Sequence, residues 1–217
     1  MARKQALPAV IALLAVVLAG CTSKTGGEAG PSASPTETSR PGPVVSPVTL
    51  EFRKVVAEAP ANTPAPPGTA GTGIAGRQAT DQNVLRATMS TLDCKAEDPL
   101  RGKDDPKLPL VTCDHDGEVR YLLDPSALSK PDVDRAEAKA NPNGTGWIVA
   151  LSFTSSGATK WADFTTKNVQ QQVAVVVDTR VISAPQIQSP ITGGNTEITG
   201  NFTVDEARRL ADALNGD

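Results

Sequence analysis

The apolar run QVAVVVD, residues 172–178, constrains the fold more than any other part of the chain. Its five central residues are all hydrophobic, as in a strand that is covered on both faces. A second apolar stretch, RVIS, follows Asp178 and Thr179 and is predicted to pair back as a hairpin. Pro185 lacks a backbone donor and therefore ends this second strand. The sequence thus predicts a rigid hairpin that carries no obvious nucleophile, metal cluster or phosphate loop.

Two further stretches alternate between apolar and polar residues with a period of two. Residues 48–56 (VTLEFRKVV) put apolar side chains on one face and Glu51 and Arg53 on the other, which is typical of a half-buried strand. Residues 146–154 (GWIVALSFT) alternate in the same way. Between these two strands, the polar stretch 129–146 contains one short helical possibility and closes in an Asn-Pro-Asn-Gly turn.

Helical spacing of apolar residues predicts three helices. The first spans residues 80–94 and starts at a capping Asp, and the second spans residues 155–169. The third spans residues 202–214 and begins with a capping box of Thr203 and Glu206. A strand-rich sequence with these helices predicts an α+β fold, in which two or three helices pack on one face of a mainly antiparallel sheet.

The N-terminus has the layout of an export signal. Arg3 and Lys4 precede the apolar run 6–19, which at about 15 residues is shorter than the roughly 20 that cross a bilayer. The run ends in Leu-Ala-Gly-Cys, which resembles the lipobox of bacterial lipoproteins. That resemblance implies that residues 1–20 are a cleaved signal peptide and that acylated Cys21 anchors the chain to the lipid bilayer. The alternative is an ordinary signal peptide with an incidental cysteine.

Residues 21–46 are rich in Ser, Thr, Pro and Gly and bury too little apolar surface to offset their ordering entropy. We predict that they form a disordered tether, which at this length reaches roughly 25–30 Å from the lipid head groups. The folded domain is predicted to span residues 47–217. Within it, the Pro/Gly-rich residues 58–79 are predicted to form a flexible loop.

The cysteine count supports export. Without Cys21, the chain has one remaining pair, Cys94 and Cys113, in a compartment where disulfides persist. A disulfide between them closes a loop of about 20 residues and stabilises the fold by roughly 3 kcal/mol. Two separate buried thiols are the alternative. A metal pair is disfavoured because the chain has one histidine and no Cys-x-x-Cys motif.

Charge and residue content exclude several functions. The 21 Lys and Arg residues are balanced by 24 Asp and Glu residues, so nothing indicates a nucleic-acid partner. The single histidine, His115, lies between two aspartates in a predicted turn, where a solvated turn competes with a weak metal site. Ser183 lacks the Gly-x-Ser-x-Gly context of a nucleophile. We therefore expect a protein that is not an enzyme and has no cofactor.

Three collinear runs carry a family resemblance. They are GWIVALSFTSSGATKWADFTTKN, QVAVVVDTRVISAP and PITGGNTEITGNFTVDEARRLADAL, all within residues 146–214. Together they resemble the head subdomain of the large first periplasmic loop of SecD, a membrane subunit of protein export. EFRKVV and the cysteine pair resemble features of actinobacterial SecD more weakly, which extends the resemblance over most of the chain beyond residue 46.

The resemblance implies contact with exported or unfolded polypeptide, or with translocon or envelope proteins, at the extracytoplasmic face of the cell membrane. An exposed sheet edge beside a Gly-rich bend lets another backbone approach closely and form hydrogen bonds. On this basis the candidate peptide-binding residues are Ser183, Pro185, Ile187, Ile191, Gly193 and Gly194. Two alternatives stay open: the hairpin is core with a covered edge, or the protein is a repurposed structural or regulatory lipoprotein that binds a wall polymer or small ligand.

The chain departs from the family pattern in three ways. Thr179 stands where the family has Gly after the turn Asp, and a β-branched residue resists positive φ, so we expect a longer bulged turn rather than type I′. Gln170 also stands where Gly is expected. Beyond Cys21 we expect no membrane-spanning helix, so the proton-driven role of SecD does not carry over.

Overall fold

The computed structural model describes residues 48–64, 67 and 73–216. The predicted signal peptide, Cys21 and the tether lie outside the described residues. The strands in this part of the chain are β1 (Leu50–Pro60), β2 (Leu110–Cys113), β3 (Val119–Ser129), β4 (Val133–Ala140), β5 (Trp147–Phe153), β6 (Val173–Val177), β7 (Arg180–Ser183) and β8 (Asn195–Phe202). The helices are α1 (Gly73–Gly76), α2 (Gln82–Thr91), α3 (Ser155–Lys167) and α4 (Val204–Asn215), with a 3₁₀ turn at Lys130–Asp132.

The strands form two antiparallel sheets. The five-stranded sheet has the order β2-β3-β1-β6-β7, and the three-stranded sheet has the order β4-β5-β8. The predicted α+β class with antiparallel strands is confirmed, but the expected single sheet is divided in two. The division falls at the turn Lys130–Asp132, where Pro131 follows the end of β3 and the Asp132 carboxylate accepts a hydrogen bond from the Ser129 amide at 3.0 Å. Helix α2 packs on β2 and β3, whereas α4 packs on β4 and β5.

The main core lies between the two sheets and is centred on Trp161 of α3, which is 2% exposed. The ring centroid of Trp161 lies 5.0 Å from that of Phe52, 5.5 Å from that of Phe153 and 5.8 Å from that of Phe164. Aromatic pairs at such distances contribute about 0.5–1.5 kcal/mol each beyond the area that they bury. This cluster therefore joins α3 to both sheets.

The first four residues of β1, Leu50–Arg53, are buried on both faces, so the prediction of a half-buried strand is wrong there, whereas the rest of β1 is half-buried or exposed. Glu51 is 5% exposed and Arg53 is 0% exposed. Arg53 donates to the Glu51 carboxylate at 2.5 Å, to the Asp104 carboxylate at 3.0 Å and to three main-chain oxygens at 2.7, 3.1 and 3.3 Å. A charge is tolerated in a protein interior when it is paired and hydrogen-bonded in this way. Burial raises the pKa of Glu51, and the charge of Arg53 opposes that shift.

Residues 94–108, named the strap here, supply most of the partners that bury these charges. The strap begins at Cys94, which forms a disulfide with Cys113 of β2 across a Cα–Cα distance of 5.6 Å, as the cysteine count favours. Further along the strap, Asp98 accepts hydrogen bonds from Arg77 at 2.5 and 3.1 Å. Burial alone raises the pKa of Asp98, but the hydrogen bonds and charge of Arg77 outweigh it, so this pKa lies below its usual value.

The hairpin between β6 and β7 closes in a two-residue turn. Asp178 and Thr179 have φ values of 46° and 68°, and the flanking residues Val177 and Arg180 pair with each other. This is the pattern of a type I′ turn, so the predicted longer turn is wrong. Gln170, the other residue that stands where Gly is expected, also has positive φ, at 66°. The chain therefore keeps the left-handed backbone without the glycines that usually permit it.

Thr179 is held in this conformation by the strap. Its side chain is fully buried, and its hydroxyl accepts a hydrogen bond from the Gly102 amide at 2.8 Å. The same hydroxyl lies 3.0 Å from the Leu100 carbonyl oxygen and 2.9 Å from the Asp104 carboxylate, its two possible acceptors. The main-chain oxygen of Thr179 accepts from the Thr112 hydroxyl. These bonds offset the roughly 1–2 kcal/mol by which a left-handed conformation is disfavoured.

Two predicted boundaries differ from the structure. Strand β1 continues to Pro60 and Gly73–Gly76 form a helical turn, so both ends of the loop predicted over residues 58–79 are ordered elements. Strand β4 occupies Val133–Ala140, where the sequence suggested at most a short helix. Four of the eight β4 residues are charged, and only Ala136 is buried. The strand therefore shows no clear alternation of apolar and polar residues in the sequence.

The outer edge of β4 is closed by a side chain. The Asn215 amide oxygen accepts from the Ala136 amide at 2.9 Å, and the Asn215 amide nitrogen donates to the Ala136 carbonyl at 3.0 Å. Asn215 ends α4, which lies along β4. One side chain thus occupies the hydrogen-bonding positions that a neighbouring strand would use at the middle of β4.

We predict that Gly157→Ala destabilises the protein by about 1–3 kcal/mol, although alanine is the better helix former by about 1 kcal/mol. A Cβ at Gly157 overlaps the main-chain oxygen of Asp132, where α3 packs on the 3₁₀ turn. The matched control is Gly193→Ala, because a Cβ at Gly193 meets no atom within 4 Å. Urea denaturation of both variants measures the difference, and equal stabilities would contradict the close packing of α3 on this turn.

Candidate functional site

An open groove of about 660 Å³ lies between the two sheets. One side is residues 185–191, named the loop wall here. The other side comes from β5 and β8 and includes Ser152, Thr196 and Thr199. Phe52 and Trp161 of the main core also line the groove, so its apolar part is continuous with the aromatic cluster. The groove combines an apolar base with polar side chains along its rim.

The loop wall is fixed by main-chain hydrogen bonds to the start of β6 and to the segment before it. The Pro185 carbonyl accepts from the Val173 amide at 3.0 Å, and the Ile187 amide donates to the Gln171 carbonyl at 2.9 Å. The Ile187 carbonyl in turn accepts from the amide of Gln170, the residue with positive φ, at 2.8 Å. The left-handed conformation of Gln170 thus lies where the chain reverses to meet the loop wall.

The far end of the loop wall is anchored by one threonine. The fully buried Thr165 of α3 accepts a hydrogen bond from the Ile191 amide at 3.0 Å through its hydroxyl. That hydroxyl donates to the Trp161 carbonyl, which lies 2.9 Å away. Thr165 thus connects the end of the loop wall to the helix that carries the core tryptophan.

The structure divides the six predicted peptide-binding residues. Three of them line the groove: Pro185, Ile187 and Ile191. Ile187 is only 3% exposed and belongs to the main core, so its side chain supports the groove from below and does not offer a free apolar contact. The other three do not line the groove: Ser183, Gly193 and Gly194. The Ser183 hydroxyl is buried and has no hydrogen-bond partner among the described residues.

The two glycines form the bend between the loop wall and β8. Gly194 has φ of 70°, and its carbonyl accepts from the Phe153 amide at 2.9 Å, which brings β8 into register beside β5. Gly193 borders open space on the side where a Cβ would project. The bend connects the loop wall to β8 without lining the groove itself.

The sheet edge nearest the groove is that of β8 rather than β7. The Val181 carbonyl on β7 accepts from the His115 amide at 2.8 Å, and Asp114 forms a β-bridge with Val181, so that edge is covered there. Strand β8 is the last strand of its sheet, and within the described part of the chain no main-chain hydrogen bond reaches its outer side. The exposed edge that the sequence placed on the hairpin therefore lies on β8.

The sequence pattern did not indicate the groove residues on β8 or the role of Trp161. Helical spacing predicted α3, but it did not show that Trp161 of this helix lines a groove. The indole Nε1 of Trp161 is buried without a hydrogen-bond partner among the described residues. The β8 stretch NTEITGNF has one buried residue, Ile198, too few to show a strand period. Its proximity to the loop wall depends on long-range pairing.

The groove has the chemistry of a binding surface. The ionisable residues that line it are Lys139 and Glu197, one of each sign. His115 is an exposed turn residue outside the groove, and its neighbour Asp114 accepts hydrogen bonds from two amides of that turn at 2.7 and 2.9 Å. No helix in the described part of the chain is long and apolar enough to cross a bilayer.

Comparison with known proteins shows the family. The profile described as "SecDF, P1 head subdomain" matches residues 109–217, half of the chain and every groove residue except Phe52. The chain therefore belongs to the SecDF P1 head subdomain family. In this family member, two antiparallel sheets enclose a groove between them.

Individual relatives are SecD subunits of protein translocases. The SecD of Mycobacterium tuberculosis is 41% identical over 143 residues, which cover 64% of this chain. The SecD of Streptomyces coelicolor is 34% identical over 142 residues, which cover 60% of this chain. In both cases the chain spans 25% of the relative's length. A solved SecDF structure, described as a membrane component that enhances protein export, is 28% identical, covers 77% of this chain and 62% of its own, and has a TM-score of 0.45.

We predict that Thr165→Val detaches the far end of the loop wall at a cost of about 1 kcal/mol, because the Ile191 amide loses its acceptor. Amide exchange at Ile191 should accelerate, as measured by NMR. The matched control is Thr166→Val on the exposed side of the same helix, where the hydroxyl donates only to the Ala162 carbonyl. If exchange at Ile191 responds equally to both substitutions, Thr165 is not the anchor.

Proposed function

We propose that the protein is a membrane-anchored extracytoplasmic lipoprotein that binds extended polypeptide in the groove between its two sheets, as a non-enzymatic accessory to protein export. Membership of the SecDF P1 head family supports the link to export. The single observation that supports polypeptide as the ligand is a groove with a polar rim beside the outer edge of β8, which has no main-chain partner among the described residues.

An extended chain suits this groove because its backbone offers hydrogen-bonding groups along one edge, while its side chains point alternately to its two faces. Its backbone can pair with the outer side of β8, while alternate side chains point into the groove. Polar rim residues such as Thr199 and Gln188 carry no net charge, so they impose little side-chain selectivity. Contacts dominated by main chain are what a protein needs to hold unfolded segments of many sequences.

We predict that Thr199→Trp weakens binding of an extended peptide about tenfold, which corresponds to about 1.4 kcal/mol. The indole ring fills the groove beside the β8 edge. The probe is a fluorescent eight-residue peptide of alternating Val and Thr, equal in length to β8, and the measurement is fluorescence anisotropy. The matched control is Thr159→Trp, an exposed α3 residue that does not line the groove, which should bind like the unchanged protein.

Equal binding by both tryptophan variants would place the peptide outside the groove. Absence of binding by the unchanged protein, together with thermal stabilisation by wall glycans or small metabolites, would favour a repurposed structural or regulatory lipoprotein instead. The two outcomes separate the location of the site from the class of its ligand.

The N-terminal sequence and the disulfide support the proposed location. Leu-Ala-Gly-Cys at residues 18–21 resembles a lipobox, and a disulfide is typical of proteins that fold outside the cytoplasm. Residues 22–46 lie between Cys21 and the folded domain in the sequence, and their composition is that of a tether.

We predict that Cys21→Ser moves the protein from the detergent phase to the aqueous phase in a phase-partition experiment, because a serine side chain cannot carry the thioether-linked lipid. Mass spectrometry of the unchanged protein should show acyl chains on the peptide that begins at Cys21. An unmodified Cys21 in the protein isolated from its own cells would exclude lipid anchoring.

A further inference from the structure

We infer that the Cys94–Cys113 disulfide controls the near end of the loop wall from a distance, so that the groove is complete only in the oxidised protein. The coupling passes from the disulfide to the strap, from the strap to the β6–β7 turn, and from β7 to the loop wall. The structural coupling stands on its own contacts, whereas its consequence for peptide binding rests on the proposed function.

The first link is between the disulfide and the strap. Most strap residues are exposed, and Leu100 is the strap residue that packs on a hydrophobic cluster. The attachment of the strap therefore depends mainly on hydrogen bonds, ion pairs and the covalent bond at Cys94. Breaking the covalent bond at Cys94 therefore lowers the free-energy cost of opening the strap, whose other main attachments are the hydrogen bonds and ion pairs to Arg53 and Arg77.

The second link is between the strap and the turn. The hydroxyl of Thr179 is surrounded by three strap groups at 2.8, 2.9 and 3.0 Å, and the Arg180 guanidinium donates to the Cys94 carbonyl at 3.2 Å. Asp178 and Thr179 have positive φ without being glycine. When the strap leaves, the strained turn loses the bonds that offset its strain, and the hairpin end becomes mobile.

The third link is the chain itself. Strand β7 ends at Ser183, two residues before the loop wall begins at Pro185. The far end of that wall has separate anchors, the Thr165 hydroxyl on Ile191 and the Gln170 and Gln171 main chain on Ile187. At the near end, the Pro185 carbonyl accepts from the Val173 amide of β6, the strand that the strap-held turn joins to β7. The disulfide should therefore affect the near end of the wall, through this hairpin, and leave the far end in place.

The chemical step is an ordinary thiol–disulfide exchange. A dithiol reductant donates two electrons and two protons, the Cys94–Cys113 sulfur–sulfur bond breaks, two thiols form and the reductant becomes a disulfide. Oxidation by a disulfide-bearing partner reverses each of these changes. No group of the groove takes part in the exchange, so groove and disulfide communicate only through structure.

Hydrogen exchange followed by mass spectrometry tests the coupling on the whole chain, oxidised and after treatment with a dithiol. We expect exchange in residues 178–186 to rise about tenfold on reduction, while residues 187–191 and α4 stay protected. The double variant Cys94→Ser/Cys113→Ser should match the reduced protein without any reductant. Faster exchange confined to residues 93–118, or an equal rise throughout β5 and α4, would overturn the proposal.

Thr179→Gly supplies a control on the second link. Glycine accepts positive φ without strain and has no hydroxyl for the strap, so reduction should change exchange in residues 178–186 much less in this variant. An undiminished response in Thr179→Gly would show that the effect does not pass through Thr179 and would overturn the proposed route.

Binding of the Val/Thr peptide separates this inference from the proposed function. We expect several-fold weaker binding after reduction, with the loss abolished in Thr179→Gly. If the oxidised protein fails to bind the peptide, the proposed function fails, and the exchange experiment alone decides the coupling. If the oxidised and reduced proteins bind equally while exchange differs, the groove does not depend on the near end of its wall and the inference is overturned.

Discussion

The structure is organised around a guanidinium group that has no contact with solvent. Arg53 lies on β1, the central strand of the five-stranded sheet, and its partners come from β1 itself, from the strap and from β3. Removing one partner of a buried ion pair typically costs 3–5 kcal/mol, since the remaining charge stays buried and unpaired. The sheet therefore reaches its native state only when the strap is in place. A segment that is mostly exposed thus completes the interior through the few groups that reach Arg53.

The same dependence explains how the chain keeps a glycine-type backbone without glycine. Gln170 and the Asp178–Thr179 turn lie on either side of β6, and all three residues have positive φ. At Gln170 the main chain is held by Ile187 and by the Gln186 side chain, and at Thr179 it is held by the strap. Tertiary hydrogen bonds thus hold positive φ values at both ends of β6, where a glycine in the local sequence usually permits them. These two places link the hairpin to the groove on one side and to the disulfide on the other.

How much could be predicted from the sequence depended on how local the determining contacts are. The caps of α2 and α4 were predictable because Asp81, Thr203 and Glu206 act within one turn of helix. The period of two in β5 was visible because β5 is paired on both sides, with β4 and β8, and its alternate side chains pack on the core. By contrast, the buried face of β1 depends on Asp104, 51 residues further along the chain, so its alternation wrongly indicated exposure. The groove was hidden for the same reason, since it exists only where two separate sheets face each other.

The side-chain amide of Asn215 has a consequence for how these molecules behave when crowded together. By occupying the backbone groups of Ala136, it leaves the three-stranded sheet with one edge that can accept a further strand and one that cannot. A sheet with a single unpaired edge can pair with one further strand there, but it has no second edge at which strand addition could continue. Copies at high local concentration are thereby protected from joining edge to edge into a continuous ribbon.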